Sequence, residues 1–259
     1  MRAGISSASF FNKRPNEEVF DLLRTLDCDL CETFLSTFCE YTEAFARLLA
    51  SRKGEIEVHS VHTLNLHYEP ELFNRNPRTF GDARKLYEQV LSSAQILGAK
   101  YYTFHGPARL KKRVYTFDFG YLAERLNLLL DVGEKFGVRL CYENVHWTYF
   151  SEPSYFAELK KRVPRLGSCL DVKQAMQSGI DYKKFVEVMG DSLCTVHVCD
   201  YDENGKLTLP GRGVFDFREL VRVLKANGTD APLLLELYSD DYRSFEEVGE
   251  SFHYIRSLL

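Results

Sequence analysis

The chain has 259 residues, 45% of them hydrophobic and 27% charged, and a formal net charge of −4. This is an ordinary globular balance, long enough for one large core. It argues against a dedicated nucleic-acid binder, which would carry a basic footprint, and no run approaches the roughly 18 apolar residues of a membrane span.

The first ten residues, MRAGISSASF, read as an opening strand. They lack the basic region, apolar stretch and small-residue cleavage site of a targeting segment, so a cytoplasmic protein is expected. Further strand-like runs, short and rich in β-branched or aromatic residues, follow Ala3–Ser7 at Asp29–Phe34, Glu57–Thr63 and Lys100–His105. Four more lie at Val138–Glu143, Gly167–Asp171, Cys194–Cys199 and Pro232–Tyr238. Between them the periodicity changes to that of helices. Ala83, Leu86, Val90, Leu91, Ala94 and Leu97 recur three or four apart, and Leu122, Leu126, Leu129, Leu130 and Val132 repeat the pattern. Gly98 and Gly137 fall where those helices must stop. Later helices are expected at Pro153–Val163, Tyr182–Met189, Phe217–Ala226 and Phe245–Leu258, with Asp216 and Ser244 as N-caps. The seven cysteines (28, 31, 39, 141, 169, 194 and 199) sit mostly in apolar strand-like runs. They read as small core residues in a reducing compartment, not as a disulfide framework.

Eight strands alternating with about eight helices give the α/β signature of a parallel sheet, and eight units favour closure into a (β/α)8 TIM barrel. An open doubly wound sheet is expected to carry a glycine-rich phosphate loop after its first strand, and GISSASFF supplies none. No linker or composition shift divides the chain, so residues 1–259 are expected to form a single domain. The longer irregular stretches at 65–79, 106–117, 144–152 and 201–213 each follow a strand. In a barrel they would surround the mouth, where substrates bind.

Ligand-type side chains stand where strands stop: Glu143 ends RLCYE, Asp171 ends GSCLD, His197 lies in TVHVCD and Glu236 in LLLELY. On consecutive barrel strands they would converge at the mouth. Three carboxylates and an imidazole suit one divalent ion such as Mn²⁺, Mg²⁺, Co²⁺ or Zn²⁺, and so much negative charge without a cation would be costly. His62 and His105 end the third and fourth strands and could hold a second ion or hydrogen-bond a substrate hydroxyl. Trp147, the single tryptophan, follows the fifth strand with Tyr149 and Phe150. It could offer an aromatic face to sugar C–H groups or simply cover the barrel end. His146 in the same loop is a weaker contact candidate. Lys173 reads more naturally as a solvated residue of the helix after the sixth strand than as an electrostatic partner of the site.

The motifs SVHTL, FHGP, CYENVH, CLDVKQ, VHVCD, PGRGVFDF and LLLELY resemble, along the whole chain, the xylose isomerase-like superfamily of sugar isomerases, 3-epimerases, inosose dehydratases and apurinic endonucleases. The resemblance implies a metal held by Glu143, Asp171, His197 and Glu236, with no organic cofactor. Departures separate the branches. Gln174 stands where the endonucleases and most ketose 3-epimerases have the histidine of D-x-x-H, and DENGKLTLPGRGVFDF has no histidine for a third metal. Cys199 replaces a frequent lysine of H-x-K-D, and Arg212 replaces the acidic residue of PGEG. Gln174 can still hydrogen-bond a substrate, and Arg212 could recognise an anionic group or pair at the surface.

The resulting expectation is a metal-dependent isomerase or epimerase of a small sugar or sugar derivative. Glu143 and Glu236 would move protons next to a carbonyl, through an enediolate that the ion stabilises. Alternatives are an inosose-type dehydratase on the same platform, an apurinic endonuclease-like nuclease, or a catalytically silent binding protein. No nucleic acid or membrane partner is expected, and a homo-oligomer stays open.

Overall fold

The structure, a computed structural model, describes residues 1–109 and 115–259. Eight strands close into a parallel barrel in the order β1-β2-β3-β4-β5-β6-β7-β10 and back to β1. They are β1 Ala3–Ser6, β2 Leu30–Leu35, β3 Glu57–Thr63, β4 Tyr101–Phe104, β5 Arg139–Glu143, β6 Gly167–Asp171, β7 Leu193–Val198 and β10 Leu233–Leu235. Every neighbouring pair is parallel, as helical crossovers require. β2, β6 and β7 are buried on both faces, one towards the barrel interior and the other beneath the helices.

The helices bury the predicted stripes except Leu86, which is only partly covered. On α3 (Pro77–Leu97) Ala83, Val90, Leu91, Ala94 and Leu97 are buried, and on α4 (Phe119–Lys135) Leu122, Leu126, Leu129, Leu130 and Val132 are. α3 ends at Gly98 with φ +79°, a left-handed position that a side chain would strain. Asp216 caps the helix at Phe217–Ala226 through Glu219 N at 2.9 Å. The Glu247 carboxylate accepts from Ser244 N at the start of Phe245–Arg256.

The stretch at 201–213 is not wholly irregular. β8 (Asp200–Tyr201) and β9 (Leu207–Thr208) form an antiparallel pair, closed by a turn in which Asp202 accepts from Asn204 N and Lys206 N, both at 2.9 Å. Local side-chain-to-backbone bonds of this kind make a tight hairpin where alternation is too short to signal one. A short helix, α6 (Val172–Gln177), begins immediately after β6. Part of the stretch 106–117 lies outside the described residues. Among the described residues no helix is long and apolar enough to cross a membrane. All seven cysteines are free, and six are buried.

Candidate metal centre at the barrel mouth

Strand register sets the site. Asp171 and His197 are direct partners across β6 and β7, Glu143 is the last residue of β5, and Glu236 follows β10. Glu143, Asp171, His197 and Glu236 each offer a ligand atom within 4.8 Å of the others, so the four predicted residues meet at one point. His197 Nδ1 faces the cluster, 2.9 Å from Glu236 Oε2 and 3.3 Å from Glu143 Oε1.

Burial makes this arrangement costly. Glu143 Oε2, Asp171 Oδ2 and Glu236 Oε2 are buried and accept no hydrogen bond. Burial raises the Asp171 carboxyl above its ordinary range; Lys173 opposes that rise, and Glu236 and Glu143 reinforce it. Burial also penalises ionised Glu236, but Lys173 and His197 hold its pKa well below the usual value. Converging oxygens left without donors fit a hard or borderline cation. The donor set therefore fits the group that the sequence implies.

Asp171 divides its two oxygens. Oδ1 accepts from Gln174 N at 2.8 Å as the N-cap of α6, leaving Oδ2 to face the cluster. The main chain of Asp171 is fixed by Asn144, whose Nδ2 donates to its carbonyl at 2.9 Å and whose Oδ1 accepts from its N–H at 2.8 Å.

His62 of β3 and His105, immediately after β4, join this group. His62 Nε2 lies 3.8 Å and His105 Nε2 3.3 Å from Glu143 Oε2, and the three residues form a second constellation able to hold an ion. Behind His105 stands Glu69, which accepts from Tyr102 Oη at 2.5 Å and from the N–H groups of His105 and Gly106 at 2.8 and 3.2 Å. Burial disfavours the charged His105 ring, but Glu69, and then Glu143, lift its pKa to about 9.

Lys173 corrects the sequence reading. It is 4% exposed, with Nζ 3.6 Å from Asp171 Oδ2, 3.8 Å from Glu236 Oε2 and 4.5 Å from the centre of the Tyr238 ring. The helical start at Val172 turns it into the mouth instead of towards solvent. Trp147 and Gln174 also line the mouth cavity, which measures about 380 Å³. Gln174 Oε1 is already used, accepting from His146 N at 3.2 Å and contacting His146 Nδ1 at 2.6 Å. Tyr149 and Phe150 pack outside that cavity, against Tyr155. Arg212 is not brought to the mouth. It is paired with Glu247 at 2.7 Å and Glu250 at 2.9 Å on the last helix, half exposed. The loop carrying it is held by Asp200, whose carboxylate accepts from the N–H groups of Tyr201, Gly211, Gly213 and Phe215 at 2.8–3.0 Å.

Sequence reasoning missed Glu32. It is fully buried in β2 and accepts from Ser6, Ser60 and Thr103 hydroxyls at 3.0, 2.7 and 2.6 Å. Its Oε1 lies 3.1 Å from His197 Nε2, an ion-pair contact off the hydrogen-bond direction. Burial opposes its charge, but His197 keeps the carboxyl far below its ordinary range. A glutamate inside the apolar run LCETFL was the available signal.

A family model described as xylose isomerase-like TIM barrel matches residues 20–258. No curated protein matches the sequence. Among solved structures, D-psicose 3-epimerase with D-tagatose from Clostridium cellulolyticum H10 superposes with a TM-score of 0.80 at 16% identity, covering 100% of this chain and 99% of that one. The 3-keto-D-glucoside 4-epimerase YcjR from E. coli gives 0.78 at 15%, covering 99% of each chain. The IolI protein with a binding zinc atom gives 0.79 at 17%, covering 98% and 96%.

Proposed function

Since the chain belongs to the xylose isomerase-like TIM barrel family, we propose that it is a divalent-metal-dependent isomerase or epimerase of a small sugar or sugar derivative. The observation that carries this reading is the convergence of Glu143, Asp171, His197 and Glu236 with three buried carboxylate oxygens left unbonded. Structural neighbours acting on ketoses and on a keto-glucoside, and one with bound zinc, support the same reading.

Glu143, Asp171, His197 and Glu236 would hold the ion, which when bound supplies a Lewis acid for a carbonyl and its neighbouring hydroxyl oxygen. Glu143 and Glu236 come from different strands and are the candidate bases for removing a proton beside the carbonyl and returning one. His105, charged and beside Glu143, would steady the extra negative charge on that side. Lys173 would do so beside Glu236. His62 lies close enough to contact substrate oxygen; a second ion shared by His62, His105 and Glu143 would require His105 to lose its proton. Trp147 covers one side of the mouth and would help exclude water.

The test is metal analysis of the purified protein, followed by proton exchange from ketohexoses in D₂O. One ion per chain and metal-dependent exchange, lost in Glu143→Gln and Glu236→Gln, are expected. Exchange unchanged in both variants would sink the mechanism. Loss of water from an inosose without epimerisation would move the assignment to the dehydratase reading. Cleavage of abasic DNA with three ions per chain would move it to the nuclease.

A further inference from the structure

The mouth cavity combines a charged lining with an apolar one. Its floor holds His62, His105, Glu143, Lys173 and Glu236. An aromatic ring stands against each of the three cationic or imidazole groups of this floor. Phe34 packs on His62 with ring centres 5.4 Å apart, Trp147 lies 6.0 Å from His105, and Tyr238 lies 4.5 Å from Lys173 Nζ. Leu64 and Leu66 complete the collar. Leu66 is 64% exposed and Tyr238 is 50% exposed, so the rim shows apolar surface to water.

Several polar atoms of the wall are already engaged among the described residues. Thr63 Oγ1 bonds with Tyr102 Oη at 2.9 Å, His67 Nδ1 with Tyr41 Oη at 2.9 Å, and Gln174 Oε1 is taken by His146. A free ketose carries a hydroxyl on nearly every carbon. Its far hydroxyls would lose water against Phe34, Leu64 and Leu66 without gaining partners there, and unpaired buried hydroxyls oppose binding. The cavity, at about 380 Å³, holds roughly a dozen waters at about 30 Å³ each, more room than the twelve bonded heavy atoms of one hexose require.

We infer that the substrate is a keto-sugar or polyol ring carrying a bulky apolar substituent, such as an aryl glycoside, with the ring on the polar floor and the substituent against Phe34, Leu66, Trp147 and Tyr238. This rests on the metal-dependent sugar reading for the floor, but the collar is a separate observation. The single tryptophan in the collar provides the readout.

The manganese-loaded protein is titrated with phenyl β-D-glucopyranoside, methyl β-D-glucopyranoside and D-fructose while Trp147 fluorescence is followed. The phenyl glycoside is expected to bind at least tenfold more tightly than either of the others. Leu66→Ser and Phe34→Ser, checked by thermal unfolding to be folded, are expected to reduce that preference below threefold. Equal binding of the three, tightest binding of D-fructose, or no response to the phenyl glycoside overturns the inference. So does gel filtration showing a dimer that Leu66→Ser dissociates, because the collar would then be an interface between copies. The two readings fail separately. Exchange from D-fructose without a phenyl preference removes this inference alone. Phenyl binding retained in a protein that takes up no metal removes the metal chemistry and leaves the collar.

Discussion

Glu32→Gln separates an aimed imidazole from one that merely fills space. Glu32 is wholly buried, and its carboxylate gathers three hydroxyl donors at 2.6–3.0 Å besides lying 3.1 Å from His197 Nε2. The amide keeps the shape and removes the charge. Each of the three hydroxyl bonds falls from a charge-assisted to a neutral one, a loss of about 1 kcal/mol apiece. Because hydroxyls can rotate to accept from the new amide, the expected cost to the metal-free fold is nearer 2 kcal/mol than 3. The effect on metal binding arises differently. With Nε2 3.1 Å from Glu32 and Nδ1 facing Glu143 and Glu236, the buried carboxylate acts by its charge to hold the ring in the orientation that presents Nδ1 to the cluster. Loss of such a partner typically weakens metal affinity 10- to 100-fold, or about 1.4–2.7 kcal/mol. Calorimetric titration with Mn²⁺, paired with thermal unfolding of the metal-free protein, measures both quantities. A folded Glu32→Gln protein that binds Mn²⁺ within twofold of the parent refutes the argument.

Lys173→Met should move two quantities in opposite directions. Without the ammonium near Asp171 and Glu236, the metal-free protein should lose about 3 kcal/mol of stability, whereas divalent ions should bind about tenfold more tightly because a competing cation is gone; weaker metal binding would show that Lys173 supports the ion instead of opposing it. His105 has a folded pKa of about 9 against an ordinary 6.5, so its contribution to the metal-free fold is complete below pH 6.5 and disappears as pH rises through 9. Thermal melts should show that alkaline loss in the parent and a flatter profile in His105→Asn. Asp200→Asn should leave an amide facing backbone N–H donors at Gly211 and Gly213, costing about 2 kcal/mol and opening residues 201–215 to limited proteolysis. An unchanged cleavage pattern would show that the hairpin and not Asp200 holds the loop.

The barrel was legible because its two periodicities differ so plainly. β3 and β6 begin and end where alternation and composition place them, and all the stripe residues of α3 and α4 but Leu86 are buried. The quartet was legible for a related reason: a carboxylate or imidazole that closes an apolar strand points to one end of a parallel barrel. Glu32 escaped that logic because it lies within its strand and not at its end. The register shift beside it, between Cys31 and Glu32, sets it opposite Ser60, and such a shift leaves no mark in a hydrophobic pattern. Lys173 escaped for the opposite reason. Its position two residues beyond β6 suggested a solvated helix face, yet α6 starts without an intervening loop and its first turn projects into the mouth. Glu69 lies far from the strands it serves, and only tertiary structure brings it beneath His105.

These three charged residues change how the departures from the family pattern are understood. The glutamine in D-V-K-Q removes a histidine, but the same turn brings Lys173 to Asp171 and Glu236. Gln174 meanwhile serves His146, so its carbonyl acts within the protein. The cationic contribution at this edge comes from Lys173, an ammonium held between carboxylates. On the other side His105, with Glu69 behind it, retains a cationic ring beside Glu143. Two cations thus flank the two candidate bases, one beside each. A reaction that moves negative charge between the two sides of a substrate gains from that arrangement, because neither side is left without a compensating charge. Removing only one cation should consequently slow the half of the reaction on its own side more than the other. Opposite changes in the ratio of solvent-proton exchange into the substrate to that into the product for Lys173→Met and His105→Asn would show it; parallel changes would mean that the two cations act only by lowering the overall charge.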